Sequence, residues 1–333
     1  MGSANAKLNL LKGFACMGVV FIHVVFPGIF GQIVQTASAY AVPVFFMIAG
    51  YYSFGRDKNT IRHRLKKIVC IFIIAWLIFF FYGMAGAVIG GEGLSAWLHR
   101  NFNWKTPVKM IFFCTVDLAI PLWYLIAMIE VYLVWYFVVK HGKEEAIVRF
   151  FPVLFVLQVL TVTFFTTMDY EWFWRINFIT RAMPWFLLGY HIKTREAEIV
   201  RRFDARKLIL PVAVGCLITV IPVALDLPFR FESTGYIPYA YGLFCLALKD
   251  PDKGLCRPVE YIGEKLSLYV YILHVPLSGA MDDAAAYLFG VDTAGGVYRW
   301  CRPLLVLPAT LGVAFLICQI ARGRERFWAS PKS

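Results

Sequence analysis

LKGFACMGVVFIHVVF, residues 11–26, decides how the chain is read. It is an apolar run with Lys12 near one end and His23 near the other. The two lie roughly 16 Å apart along a helix, and steps of about 100° bring both to nearly the same face. A lone histidine in such a helix is ordinarily hydrogen-bonded to a neighbouring helix. An ionisable side chain inside a span also faces a cavity or the bundle interior, where it marks a functional position.

The rest of the chain has the same character. Hydrophobic residues make up 60% of the 333 and mean hydropathy is +0.65. Charged residues are 16%, against about 25% in soluble domains. An all-α integral membrane protein is expected, and a soluble core is not. The net charge of +12 matters by its placement, and no nucleic-acid partner is expected. The eight cysteines are scattered through apolar runs without CxxC spacing, so neither a disulfide framework nor a metal site is expected. Lys7 and Lys12 before an apolar run resemble a signal peptide, but no A-x-A-like site follows. The first helix is expected to stay in the mature protein.

A spanning helix needs about 20 apolar residues. Ten segments qualify: 8–27, 36–54, 67–90, 121–139, 149–167, 178–192, 208–225, 235–249, 263–280 and 303–321. The apolar piece 107–120 is bracketed by Pro107 and Pro121 and reads as interfacial or re-entrant. Cytoplasmic loops collect lysine and arginine. With the N-terminus inside, 24 of the 33 fall inside and 8 outside, with Lys265 at a boundary. The alternation holds at every loop. Ten helices in a single domain over 1–333, with both termini cytoplasmic, are expected.

Several polar features stand out on this background. LSLYVYILHVPL, residues 266–277, places His274 in the ninth span, in the outer half like His23. RHRLKKI, residues 62–68, is a basic patch where the third span begins. Topology alone makes inside loops basic, but arginine and lysine together also bind phosphate. The outer segments carry Phe102 and Trp104, then Tyr170, Trp172, Phe173 and Trp174, then Tyr298 and Trp300, an interfacial belt or a sugar-stacking platform. Glu130 is the acidic residue well within a span. It must pair with a cation or a histidine, or be protonated.

Taken in order, these stretches resemble the acyltransferase-3 family of membrane acyltransferases, from the first helix to the tenth. The resemblance rests on Lys12 followed eleven positions on by His23, on PVFFMIAGYYSF (43–54), and on an RxxR-like element at Arg64 and Lys67. PLWYL (121–125), PWFLLGY (184–190) and LSLYVYILH (266–274) complete it. Lysine stands at 12 and at 67 where the family usually has arginine, and Ala49 stands where it has serine. The resemblance implies transfer of an acyl group, most commonly acetyl, from cytoplasmic acetyl-CoA. The acceptor would be a hydroxyl of a glycan or glycolipid at the outer face of a bacterial inner membrane. His23 would be the catalytic base, and His274 a second catalytic residue that orients the acceptor or stabilises the oxyanion. Arg64 and Lys67 would hold the CoA phosphates, and Lys12 would line the path between. Trp123 and Tyr124 of PLWYL, with Glu130, would also line substrate. No metal is implied. Membrane lipids are the other partners, and homo-oligomers stay open.

A histidine can take the proton of a sugar hydroxyl as the acyl carbon is attacked, a contribution of roughly 10²- to 10⁴-fold. No Gly-x-Ser-x-Gly elbow is present, so direct transfer is preferred over a serine intermediate. An acyl-histidine intermediate is the other route. Two different readings compete with the enzyme. A transporter or flippase for a glycan precursor or polar solute would also need buried histidines, and a sensor or scaffold would use them for packing alone.

Overall fold

In the computed structural model, residues 5–227, 232–252 and 254–329 are described. Arg230, Lys253 and Lys332, which enter the charge asymmetry above, lie outside them. The described residues are helical, with no strand among them.

The chain opens with α1 (Ala6–His23), capped by the Asn5 side chain, which accepts from the Leu8 N–H. Then come α2 (Gly28–Ser38), α3 (Ala41–Tyr51) and α4 (Lys58–Ile89). Short helices α5 (Leu94–Asn101) and α6 (Lys105–Phe113) follow, the second too short to span. Next are α7 (Trp123–Lys140), α8 (Glu144–Val148), α9 (Phe151–Thr167), α10 (Phe178–Arg181) and α11 (Met183–Thr194). The rest is α12 (Glu196–Arg202), α13 (Ala205–Ala224), α14 (Glu232–Ala247), α15 (Arg257–Tyr261), α16 (Ser267–Phe289) and α17 (Gly296–Ala329). A π-helical turn, Ile262–Leu266, joins α15 to α16.

Among the described residues seven helical segments are long and apolar enough to cross a membrane. They are Ala6–His23, Gly28–Tyr51, Lys58–Ile89, Ile120–Lys140, Glu144–Thr167, Ala205–Ala224 and Gly296–Ala321. The other three expected spans are helical as well. Met183–Thr194 and Glu232–Ala247 are short, and Ser267–Phe289 carries His274, Asp282 and Asp283 in its length.

Several boundaries differ from the sequence expectation, among them the second span, which begins at Gly28 rather than at 36. α1 stops at His23 rather than at 27, because Pro27 opens the next helix instead of ending the first. Gln35 on α2 then donates to the freed Ile22 carbonyl at 2.8 Å. α4 begins at Lys58, so the basic patch is part of the helix. Asp57 caps it through the Asn59 and Thr60 N–H groups. Its 32 residues make it roughly 48 Å long, beyond the ~30 Å of the hydrocarbon core. α16 runs on past 280 to Phe289, and α17 starts at Gly296 with Pro303 inside it.

Contacts divide the chain into two compact units, residues 1–44 with 197–333 and residues 45–196. In the first, α1 lies against α2, α15, the π-helical turn and α16, while α16 packs on α17 and α13 on α14. In the second, α4 lies along α7 and α9 along α11. The second unit's core is aromatic: Trp135 is fully buried, with Phe186 and Tyr190 edge-on at 5.1 and 4.9 Å between ring centroids.

Candidate active site

In the first unit, α1 is held against α15, the π-helical turn and α16 by matched contacts. A Cβ on Gly13 would lie 2.2 Å from the Val259 carbonyl oxygen, and one on Gly263 would lie 1.9 Å from that of Asn9. Neither position admits a larger residue without backbone movement. Further along, the Cys16 thiol points at the Ser267 carbonyl, 3.9 Å away. Further still, the His23 and His274 rings face each other with centroids 5.1 Å apart. Gly13–Gly263, Cys16–Ser267 and His23–His274 keep a nearly constant offset in residue number. The two helices therefore run side by side in the same direction. The structure thus brings together the two histidines singled out in the sequence.

His274 is fully buried, and its Nδ1 lies 3.1 Å from the Val270 carbonyl oxygen. A carbonyl only accepts, so Nδ1 carries the proton and donates it. Nε2 is then the lone-pair nitrogen, and it has no hydrogen-bond partner among the described residues. His23 is the last residue of α1.

His274, Ser278 and Asp282 are spaced four apart, so they form one stripe along α16. Arg302 on α17 grips the far end of it. Its Nε donates to Asp282 Oδ1 at 2.8 Å and its Nη2 to Oδ2 at 2.6 Å and to Ser278 Oγ at 2.9 Å. The Tyr298 hydroxyl donates to Asp282 Oδ1 at 2.8 Å. This two-pronged carboxylate pairing fixes both position and direction. Beside it lies a cavity of about 540 Å³ whose lining includes His23, Asp282, Thr293, Arg299 and Arg302. Sequence reasoning counted both arginines only as outer charges. The stripe's spacing of four was the one signal that could have pointed to the network. Lys12 sits half-buried on α1, toward its other end.

The remaining expected site residues belong to the second unit. Arg64 donates from Nη1 to Ser53 Oγ at 3.0 Å, and Ser53 donates on to the Ala49 carbonyl at 2.7 Å. The bond ties the 43–54 stretch to the basic patch and aims Arg64, while Lys67 is exposed. Tyr124 packs on Phe46 and Phe45, at 4.8 and 6.1 Å between centroids, and Trp123 packs on Phe46 at 6.2 Å. PLWYL therefore lies against PVFF. PWFLLGY crosses the same stretch: a Cβ on Gly50 would meet the Phe186 carbonyl oxygen at 1.8 Å, and one on Gly189 that of Met47 at 2.0 Å. Among the described residues Glu130 takes neither a cation nor a histidine. It accepts from the Cys114 thiol at 3.0 Å, a partner the sequence reading treated as a small hydrophobe.

These features define a class first: an all-helical, multi-pass membrane protein with a pair of facing histidines at a polar cavity. A family model described as an acyltransferase domain matches residues 5–322. The chain belongs to the acyltransferase-3 family and is a membrane acyltransferase. No curated protein and no solved structure matches it.

Proposed function

We propose that this protein is a ten-span O-acetyltransferase of a bacterial inner membrane, with both termini in the cytoplasm. It takes acetyl from cytoplasmic acetyl-CoA and passes it to a hydroxyl of a glycan or glycolipid at the outer face. The observation that carries this reading is the pairing of His23, which lines a polar cavity, with the buried His274.

In this reading His23 is the general base. Its lone pair takes the acceptor's hydroxyl proton while the oxygen attacks the thioester carbonyl. The carbon–sulfur bond breaks, and the proton passes from His23 to the leaving thiolate, giving the acetyl ester and free CoA thiol. His274 is a positioning residue. Its Nε2 accepts, so it can hold an N–H of His23 and leave the other ring nitrogen to do the chemistry. An accepting Nε2 does not suit an oxyanion, which favours orientation over oxyanion stabilisation. Arg64 and Lys67 hold the CoA phosphates, Arg64 in the direction set by Ser53. Trp123 and Tyr124 shape the wall near PVFF, and Lys12 carries charge on the α1 face toward the cytoplasm.

The test is acetyl-CoA binding and CoA release by the full-length protein in detergent. Wild type is compared with Arg64→Ala/Lys67→Ala and with His23→Ala. The expected result is weakened binding in the double variant, and retained binding with no transfer in His23→Ala. No saturable acetyl-CoA binding by well-folded wild type would overturn the donor assignment.

A further inference from the structure

The cavity beside His23 carries a charge that the transfer chemistry leaves unused. Asp282 in its lining is already answered by two N–H groups of Arg302 and by the Tyr298 hydroxyl. Arg302 is thereby committed. Arg299, one turn earlier on α17, also lines the cavity. It is exposed, and its side chain makes no hydrogen bond, ion pair or ring contact among the described residues. The lining thus holds one uncompensated guanidinium, in the same cavity as the proposed base. At about 540 Å³ the space falls in the range of small-molecule sites, roughly 300–1,000 Å³.

We infer that this cavity is the acceptor site and that it selects an acidic sugar, with a carboxylate or phosphate on Arg299 and the reacting hydroxyl at His23. The inference rests on the acyltransferase reading above and adds the acceptor's chemical class. A guanidinium matches both anions through paired N–H donors, and it gains little from a neutral sugar beyond what water supplies. Thr293 offers a further hydroxyl for the ring substituents. One charge-assisted contact corresponds to about tenfold or more in affinity.

Binding to the purified full-length protein is measured by calorimetry with four probes: methyl glucoside, methyl glucuronide, glucose 1-phosphate and inorganic phosphate. Wild type, Arg299→Gln and Arg299→Lys are compared. Arg299 is exposed and its side chain makes no hydrogen bond or ion pair among the described residues, so neither substitution breaks one. The acidic sugars are expected to bind about tenfold tighter than methyl glucoside. Arg299→Gln should erase that difference and Arg299→Lys should restore part of it. The stronger of glucuronide and glucose 1-phosphate tells carboxylate from phosphate. Equal binding of charged and neutral sugars by wild type would overturn the inference. So would a preference that survives Arg299→Gln, or inorganic phosphate binding as tightly as the phosphorylated sugar. Acetyl transfer to the same sugars is followed in parallel. Equal rates to glucoside and glucuronide would also overturn the acceptor assignment. An absence of CoA release from acetyl-CoA under every condition would overturn the donor reading instead, and the binding result separates the two failures.

Discussion

His23 and His274 stand 5.1 Å apart, ring centroid to centroid, on helices separated by some 250 positions of sequence. The two rings are not equivalent. His274 is locked by its bond to the Val270 carbonyl, whereas His23 lines the open cavity. Substitution should therefore separate them. His23→Gln is expected to lower the transfer rate by roughly 10²- to 10⁴-fold, the span attributed to a general base. His274→Gln should cost less and act on kcat, with acetyl-CoA binding unchanged. Steady-state kinetics on reconstituted protein decides it, and equal losses would contradict the assigned roles.

The glycine contacts set the register of that pair. Gly263→Ala drives a methyl group into the Asn9 carbonyl, and Gly13→Ala drives one into that of Val259. Each should cost about 1–3 kcal/mol of stability, the usual range for overpacking. Each should also reduce turnover by shifting His23 against His274. Gly50→Ala and Gly189→Ala act within the second unit and should lower the melting temperature similarly. Thermal unfolding in one detergent, read beside activity, checks both effects. An Ala at 263 that melts like wild type would show that the backbones can part freely.

Arg302 and Asp282 form a half-buried, two-pronged pair, each about 28% exposed. Removing either partner strands the other. Arg302→Ala and Asp282→Ala are each expected to destabilise, while the double variant should fall short of their sum. A double-mutant cycle should return a coupling of roughly 1.5–3 kcal/mol, as for hydrogen bonds to charged groups. A coupling near zero would mean that the network does not hold α16 to α17.

Asp57 offers a pH test away from the membrane. The Thr60 hydroxyl and backbone N–H groups hold its carboxyl below the ordinary carboxylate range. A lowered native pKa stabilises the cap above the unfolded value near 3.8, and that contribution is lost as pH falls through the lower native value. Between pH 7 and 5 the first turn of α4 should keep its hydrogen-exchange protection, and it should lose it only as pH falls from about 3.8 through the lower native value. Asp57→Ala should fray that turn at neutral pH, while Asp57→Asn should retain most of the cap. An Ala variant with wild-type protection at Thr60 and Ile61 would remove the cap from the account.

Hydropathy located every helix that carries a candidate residue, because burial in lipid demands long apolar runs. It misplaced ends wherever charge continues a helix. Arg62 to Lys67 lower the hydropathy of residues that are good helix formers, so α4 starts earlier than its apolar part. Asp282 and Asp283 look like loop residues, yet α16 runs through them because Tyr298 and Arg302 satisfy Asp282 from another helix. Such a partner has no local trace. The same holds for Cys114 and Glu130, and for Arg64 and Ser53, whose pairing depends on how the chain turns back. The histidines were legible one by one. Their meeting was not, since it depends on packing that only the glycine positions hint at.

The π-helical turn at Ile262–Leu266 holds one residue more than an α-helical turn of the same reach. Each residue in a helix turns the side chains after it by about 100°. Because this wide turn closes the same circle as an α-helical one, the extra residue is absorbed there, and His274, Ser278 and Asp282 keep one alignment toward α1 and α17. Winding the same five residues as ordinary α-helix would instead rotate everything after them by about 100°, and a chain so altered could keep every polar residue and every span yet turn its histidine from its partner.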